Sequence, residues 1–287
     1  DKDAEITLEA NPGTVNMYKL KDYVNSGINR ISFGVQAWQD RLLKRIGRIH
    51  SGADAASSIL MAKEAGFHNI NCDIMFSLPN QSCRDFIETI ERVTDLQPKH
   101  ISAYSLIIEE GTPLYDMYNR GEIKPVDEYL DRKMYHRCIG LLEKKGYKQY
   151  EISNFAKEGY QCRHNLVYWY RGEYKGFGLG AASLVNEVRL KNTEDFYEYI
   201  KGNNAVEAER LSTADMQEEF MFLGLRCNSG ISEKSFFYNF GISIDEIYGK
   251  QISQLISNGL IMRENGCISL TERGFDLANM VFVEFMQ

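Results

Sequence analysis

The chain has 287 residues, 44% hydrophobic and 12% aromatic, enough for a sizeable core in one large domain or one plus a small one. A net charge of −7 argues against broad attraction to nucleic acid or anionic membrane. No apolar run approaches the roughly 18–20 residues of a membrane span, and no export leader opens the chain, so a cytoplasmic protein is expected.

Glu5-Ile6-Thr7-Leu8-Glu9-Ala10-Asn11 alternates as a strand, with Thr7, Glu9 and Asn11 on one face. Pro12-Gly13 stops it, and Thr14 can cap the helix Tyr18 to Asn25. The strand Arg30 to Gln36 follows, with Ile31, Phe33 and Val35 opposite Ser32, Gly34 and Gln36. Helices are expected over Asp40–Ile46 and Ala53–Ala65, the latter ended by Gly66. A third strand, Asn69 to Phe76, puts Asn71 and Asp73 on one face. A helix over Asp85–Leu96, a strand over His100–Ile108 and a turn at Glu109–Pro113 come next.

Asp127 to Lys145 reads as a long helix ending at Gly146. An aromatic, glycine-rich stretch follows, with strand-like runs at Tyr150–Ser153 and Ala181–Leu190. Gly176-Phe177-Gly178-Leu179-Gly180 lacks the spacing of a nucleotide loop and reads as a tight turn or close packing. Thr193 to Lys201 is a short helix, and the polar segment Gly202–Arg210 is the best linker candidate. From Ser212 the pattern is three helices (Ala214–Leu225, Ser232–Asn239, Ile244–Ser257), a hairpin over Gly259–Leu270 and a final helix, Glu272–Phe285. That is the order of a winged helix. It carries ten acidic against five basic side chains, so a lid or interaction domain is expected rather than a nucleic-acid-binding module.

Four successive β/α units suggest parallel strands. A doubly wound sheet would bury apolar side chains on both strand faces. Here three of four strands carry polar residues on alternate positions. A barrel accounts for this, one face packing on helices and the other lining a lumen whose C-terminal mouth binds ligands. Four strands cannot close a barrel, so upstream strands are inferred to be missing, and the Glu5–Asn11 edge would then be open to self-association. The expected fold is α/β: an incomplete TIM-like partial barrel (1–125), an aromatic extension (126–202) and a winged-helix-like α+β domain (203–287).

Residues 5–13, 30–36, 73–81 and 100–108 resemble the barrel strands of the radical S-adenosylmethionine (SAM) family. The nearest branch is oxygen-independent coproporphyrinogen III oxidase and its heme chaperone relatives. The resemblance implies SAM contacts at Glu9, Gln36, Arg48 and Asp73. Carboxylates can hold ribose hydroxyls or an amino group, and a guanidinium can fork onto the methionyl carboxylate. His164-Asn165-x-x-Tyr168-Trp169 resembles the chaperone branch's heme-binding signature, which makes His164, Tyr168 and Trp169 heme candidates. Read without the resemblance, a lone histidine is usually a structural one, and such aromatic residues are usually core. Through the resemblance, the expected function is a heme chaperone that passes heme to acceptor hemoproteins, membrane-bound ones among them. Decarboxylation of coproporphyrinogen III is the alternative.

The intact protein would carry a [4Fe–4S] cluster on a C-x-x-x-C-x-x-C loop. The six cysteines (72, 83, 138, 162, 227 and 267) show no such spacing. This chain by itself is therefore not expected to do radical chemistry, and its thiols fit a reducing compartment.

Overall fold

The computed structural model describes residues 2–203 and 205–286. The chain divides into two units, Asp1–Gln161 and Cys162–Gln287. The first contains β1 (Thr7–Ala10), α1 (Met17–Asn25), β2 (Arg30–Gln36), α2 (Asp40–Arg45), α3 (Gly52–Ala65) and β3 (Asn69–Phe76). It continues with α4 (Cys83–Asp95), β4 (His100–Ser105), α5 (Pro113–Asn119), α6 (Glu128–Lys144), β5 (Lys148–Glu151) and β6 (Asn154–Ala156).

These strands form one sheet in the order β1-β2-β3-β4-β6-β5. β1 to β4 pair in parallel, while β6 and β5 return antiparallel. Parallel neighbours need crossover connections, and α1, α2–α3 and α4 lie in them. Ile31, Phe33, Val35, Ile70, Cys72, Ile74, Ile101 and Ala103 are buried in one cluster with side chains of α1, α3, α4 and α6. Those helices therefore pack on one face of the sheet. The alternate positions Ser32, Gly34, Asn71, Asp73, Ser102 and Tyr104 lie on the other, as a partial barrel requires. β1 is the edge strand, with no strand on its outer side among the described residues.

Local chemistry shifts several expected boundaries. Asn16, not Thr14, caps α1, its side chain accepting from the Lys19 amide at 3.0 Å. Thr14 instead donates its hydroxyl to the Asn11 carbonyl at 2.7 Å. β4 ends at Ser105, three residues earlier than the alternation suggests, and the turn at 109–113 leads into α5, capped by Thr112. The run at 150–153 is a corner between β5 and β6. The Tyr135 hydroxyl donates to the Ile152 carbonyl at 2.8 Å, tying that corner to α6. Residues 126–161 therefore stay with the sheet, and the division falls at 161/162 rather than at 125/126 and 202/203.

The second unit holds α7 (Arg163–Trp169), β7 (Ala182–Val185), β8 (Val188–Asn192), α8 (Phe196–Ile200), β9 (Ala205–Arg210) and α9 (Thr213–Gly224). Then come β10 (Ile231–Ser232), α10 (Glu233–Phe240), α11 (Ile244–Ser257), β11 (Ile261–Glu264), β12 (Cys267–Leu270), α12 (Glu272–Asp276) and α13 (Ala278–Val283). The expected linker at 202–210 is instead largely strand, although Asn204 lies outside the described residues. Its charges are not solvated at random: Glu207 faces Lys191 and Glu209 faces Arg189 across β8–β9, the opposite-sign pairing that supports a ladder. The 181–190 run is a hairpin that turns at Asn186 and Glu187, both with positive φ. At the C-terminal end, α9, α10 and α11 precede the β11–β12 hairpin, and β10, between α9 and α10, pairs with β12 as one strand more than the expected hairpin, giving a winged-helix order. The final helix is interrupted at Leu277, so α12 and α13 are separate.

Candidate functional site

The polar face of the sheet is set by register. Glu9 pairs with Ser32, Ser32 with Asn71 and Asn71 with His100, forming one row across β1 to β4. The next row runs Gly34, Asp73, Ser102. Because the strands are parallel, these rows bring residues from distant parts of the chain side by side.

β2 ends in an irregularity. Its pairing with β3 shifts between Gly34 and Gln36. Gln36 has φ +65°, in the left-handed region that a non-glycine residue rarely occupies. The Ala37 amide reaches back to the Val35 carbonyl at 2.8 Å, closing a γ-turn over Gln36. Such bulges re-aim a side chain, and strained backbone concentrates at functional sites. His50 Nε2 also lies 3.2 Å from the Val35 carbonyl, so the ring donates there and anchors the loop that carries Arg48. Burial holds the His50 ring below the ordinary histidine range.

Arg48 follows Gly47, which ends α2 at φ +74°. Its guanidinium donates to Asn11 Oδ1 at 2.6 Å. Asn11 is held in turn by the Pro12-Gly13 corner, where the Gly13 amide donates to Ser58 Oγ of α3 at 3.1 Å. Gln36, Arg48 and Asn11 meet over Gly34. A Cβ on Gly34 would come 2.9 Å from Gln36 Nε2 and 3.6 Å from both Arg48 Nη2 and Asn11 Oδ1. The missing side chain thus leaves a small cradle rimmed by an amide, a guanidinium and a carboxamide. The Tyr104 hydroxyl lies 3.4 Å from Gln36 Oε1. Burial pushes its pKa up to about 12, so it stays protonated and donates.

Asp73 sits beside Gly34 on β3. It accepts from Asn71 Nδ2 at 2.7 Å and from Ser32 Oγ at 3.1 Å. Burial raises its pKa, the negative charge of Glu9 adds to that, and the hydrogen bonds from Asn71, Ser102 and Ser32 oppose it. Glu9 itself is exposed. The four SAM candidates lie together around this face: Gln36 and Arg48 at the Gly34 cradle, Asp73 next to it, and Glu9 on the edge strand. This face thus presents one cation, Arg48, and two carboxylates, Asp73 and Glu9.

The aromatic segment is built differently. His164 and Tyr168 are one helical turn apart on α7 and meet edge to face, their centroids 4.9 Å apart. Tyr168 also meets Tyr174 at 4.6 Å. Trp169 does not join this stack: the Arg226 guanidinium lies 4.4 Å from its ring centroid. His164 is exposed, while Tyr168 and Trp169 are half-buried. Just beyond, the Arg171 Nε donates to Glu219 at 3.0 Å, and Arg189 Nη2 donates to the other oxygen of Glu219 at 2.5 Å. Arg171 also bonds Glu187.

Among the described residues no three or more His, Cys, Asp or Glu are placed to hold a metal ion. Burial drives the Cys72 and Cys138 thiols far up, away from the thiolate that iron–sulfur ligation needs. These residues do not fit a cluster, and no step is assigned through one. Sequence reasoning placed Asn11 and Gly34 on the polar face but assigned neither a role, and it passed over Tyr104 and Ser102. A glycine inside a strand is itself a sign of close approach.

Comparison with known proteins gives a consistent picture. Residues 1–93 match the model of the Radical SAM superfamily, and residues 211–277 match that of the HemN C-terminal domain. Heme chaperone HemW of Bacillus subtilis is 38% identical, over 99% of this chain and 76% of that protein. Heme chaperone HemW of Lactococcus lactis is 37% identical, over 98% of this chain and 75% of the relative. The solved structure of coproporphyrinogen III oxidase (HemN) from Escherichia coli, a radical SAM enzyme, superposes with a TM-score of 0.83. It is 20% identical and covers 99% of this chain and 70% of that one, a likeness of fold alone. With the partial barrel and its polar face in place, the chain belongs to the HemW heme chaperone family of the radical SAM superfamily.

Proposed function

We propose that the polar sheet face binds SAM and that the His164–Tyr168 segment takes up heme for transfer to acceptor hemoproteins. The observation that carries the SAM reading is the cradle over Gly34, which a single Cβ would fill and which three polar side chains rim. Arg48 would fork onto the methionyl carboxylate, with Gln36 and Asn11 beside it. Asp73 and Glu9 would accept from the amino group or ribose hydroxyls. Bound beside a [4Fe–4S] cluster, SAM would supply a 5′-deoxyadenosyl radical. The cluster's ligands are not assigned to cysteines of this chain.

The heme reading is supported by the relatives' name and by the chemistry of His164. An exposed imidazole is a competent axial ligand, and Tyr168 beside it offers an aromatic face. Trp169, under Arg226, would help by shaping the segment rather than by stacking on heme. The six cysteines suit a reducing compartment such as the cytoplasm. No helix among the described residues is long and apolar enough to cross a membrane.

The test is a heme titration followed by absorbance. His164→Ala is expected to weaken heme binding roughly tenfold or more and to shift the Soret band, as loss of an axial ligand would. Unchanged affinity and spectrum would remove His164 from the site. Turnover of coproporphyrinogen III by the cluster-loaded protein would instead make it an oxidase.

A further inference from the structure

Behind Asp73 a row of hydrogen bonds crosses the sheet to a residue far from the cradle. Asn71 Nδ2 donates to Ser32 Oγ at 2.8 Å and to Asp73 Oδ1 at 2.7 Å. Asn71 Oδ1 lies 2.6 Å from His100 Nδ1 and accepts from Ser102 Oγ at 3.3 Å. His100 Nε2 lies 2.8 Å from the Tyr150 hydroxyl. Asn71 and His100 are buried, His100 completely. Tyr150 reaches His100 from β5, two strands away, because β5 and β6 slip register between Gln149 and Glu151. That slip makes Tyr150 the extra residue of a bulge, which re-aims its side chain.

The directions of these bonds are determined. A flipped Asn71 amide would set its oxygen against the Asp73 carboxylate, so the NH2 group faces Asp73 and the carbonyl faces His100. His100 must then carry its proton on Nδ1. Its pKa is lowered well below the usual value, chiefly by burial, so the ring is neutral and Nε2 is bare. Nε2 accepts the Tyr150 proton.

We propose that His100 is a positioning residue for Asp73. Its Nδ1–H holds the Asn71 amide in the one orientation that aims both Asn71 N–H groups at Ser32 and Asp73, and the Tyr150 hydroxyl anchors the ring at Nε2. This rests on the reading of Asp73 as a SAM contact. The row is the sheet's counterpart of an outer-shell partner that orients a ligating side chain.

Two substitutions separate this role from core filling. In H100N the side-chain nitrogen falls near the place of Nδ1 and keeps the donor to Asn71. In H100Q it falls near Nε2, so the bond to Tyr150 survives and the donor is lost. SAM is titrated calorimetrically into the protein, H100N, H100Q and D73N, with thermal melts alongside. Expected results are affinity within about threefold of the parent for H100N and a loss of roughly tenfold or more for H100Q. The melting temperatures of the two should fall alike.

Equal affinities for H100N and H100Q, or the larger loss in H100N, overturn the proposal. If D73N leaves SAM binding unchanged, or the parent protein does not bind SAM, the Asp73 reading fails instead. Two measurements without SAM then decide the positioning role. Imidazole nitrogen shifts should show a protonated Nδ1 and bare Nε2 at neutral pH. The Asp73 carboxyl-carbon titration should move in H100Q and stay in place in H100N. The opposite tautomer, or a titration that both variants shift equally, overturns it. Should H100Q fail to fold, Y150F removes only a hydroxyl. It is expected to keep the Nδ1–H ring, because the Asn71 carbonyl still faces Nδ1, and a ring protonated on Nε2 there overturns the proposal.

Discussion

The polar sheet face and the aromatic segment hold their residues by different means. On the sheet face each side chain is placed by strand register and then by side-chain hydrogen bonds: Asn71 alone engages Ser32, Asp73, His100 and Ser102. On α7 the rings of His164 and Tyr168 meet on a seven-residue helix whose N-cap, Cys162, makes no side-chain capping bond. A helix that short is marginal on its own and depends on packing. Its surroundings are fixed instead by the cluster in which Glu219 bridges Arg171 and Arg189. The sheet face is thus rigid by construction and suits a small ligand with fixed hydrogen-bonding needs. The aromatic segment is secured at its C-terminal side by that ion-pair cluster.

The largest effect should come from breaking the support of the aromatic segment. Glu219→Ala leaves Arg171, 10% exposed, without its buried partner and removes a partner of Arg189. Removing one side of a buried ion pair costs about 3–5 kcal/mol when the other charge is left unpaired; Arg171 keeps Glu187, which puts the loss at the lower end, about 3 kcal/mol. Chemical denaturation should show that loss, together with weaker heme binding, while SAM affinity is unchanged. An equal loss of SAM affinity would show that the two regions are not independent.

A smaller effect, confined to the sheet face, is expected of Gly34→Val. Gly34 does not lie in the left-handed region, and valine suits a strand, so the backbone should accept it. The new side chain displaces the Gln36 amide and fills the cradle. SAM affinity should fall about a hundredfold, near 2.7 kcal/mol, with little change in stability. Normal affinity would mean that the ligand lies elsewhere.

Mild acid should weaken the first unit slightly before the second. His50 and His100 both sit below their ordinary value of 6.5, burial being the largest cause in each. As pH drops below that value the unfolded chain gains protons that these rings refuse, so stability present above it is lost toward their folded values. Asp73, raised by burial, acts in the opposite sense, regaining stability as the pH falls through its raised value toward its ordinary 3.8. In the second unit the shifted carboxyl groups Glu194, Glu198, Asp215 and Asp245 are lowered from 4.5 or 3.8. Their contribution holds until the pH falls below those values. Amide exchange in β2–β4 should therefore accelerate as the pH falls below about 6.5, before exchange in α9–α11 does. The reverse order would mean that the two histidines titrate as free ones do.

Much of the sheet face was legible without coordinates. Strand alternation is a local property with a period of two, so Ser32, Gly34, Asn71 and Asp73 fall on one face whatever their neighbours. Motif resemblance added Arg48 from a loop with no periodicity of its own. The aromatic segment was legible only as a motif: no pattern showed that Arg163–Trp169 is helical or that Arg226 covers Trp169. The polar run near 202–210 reads as a linker along the chain because charges that pair across a ladder look locally like a solvated segment.

By itself, then, the sequence determined a polar-faced array of parallel strands, the residue types offered there, and membership of a radical SAM branch through its motifs. The tertiary structure alone decided how those residues meet. Register carried Gly34 beside Asp73. A positive φ turned Gln36 at the end of β2, and the cradle formed where Arg48 and Asn11 come together over Gly34. A bulge on β5 brought Tyr150 to His100. Each of these joins residues tens of positions apart. Such contacts depend on the offset between strands and on backbone irregularities, and a local periodicity encodes neither.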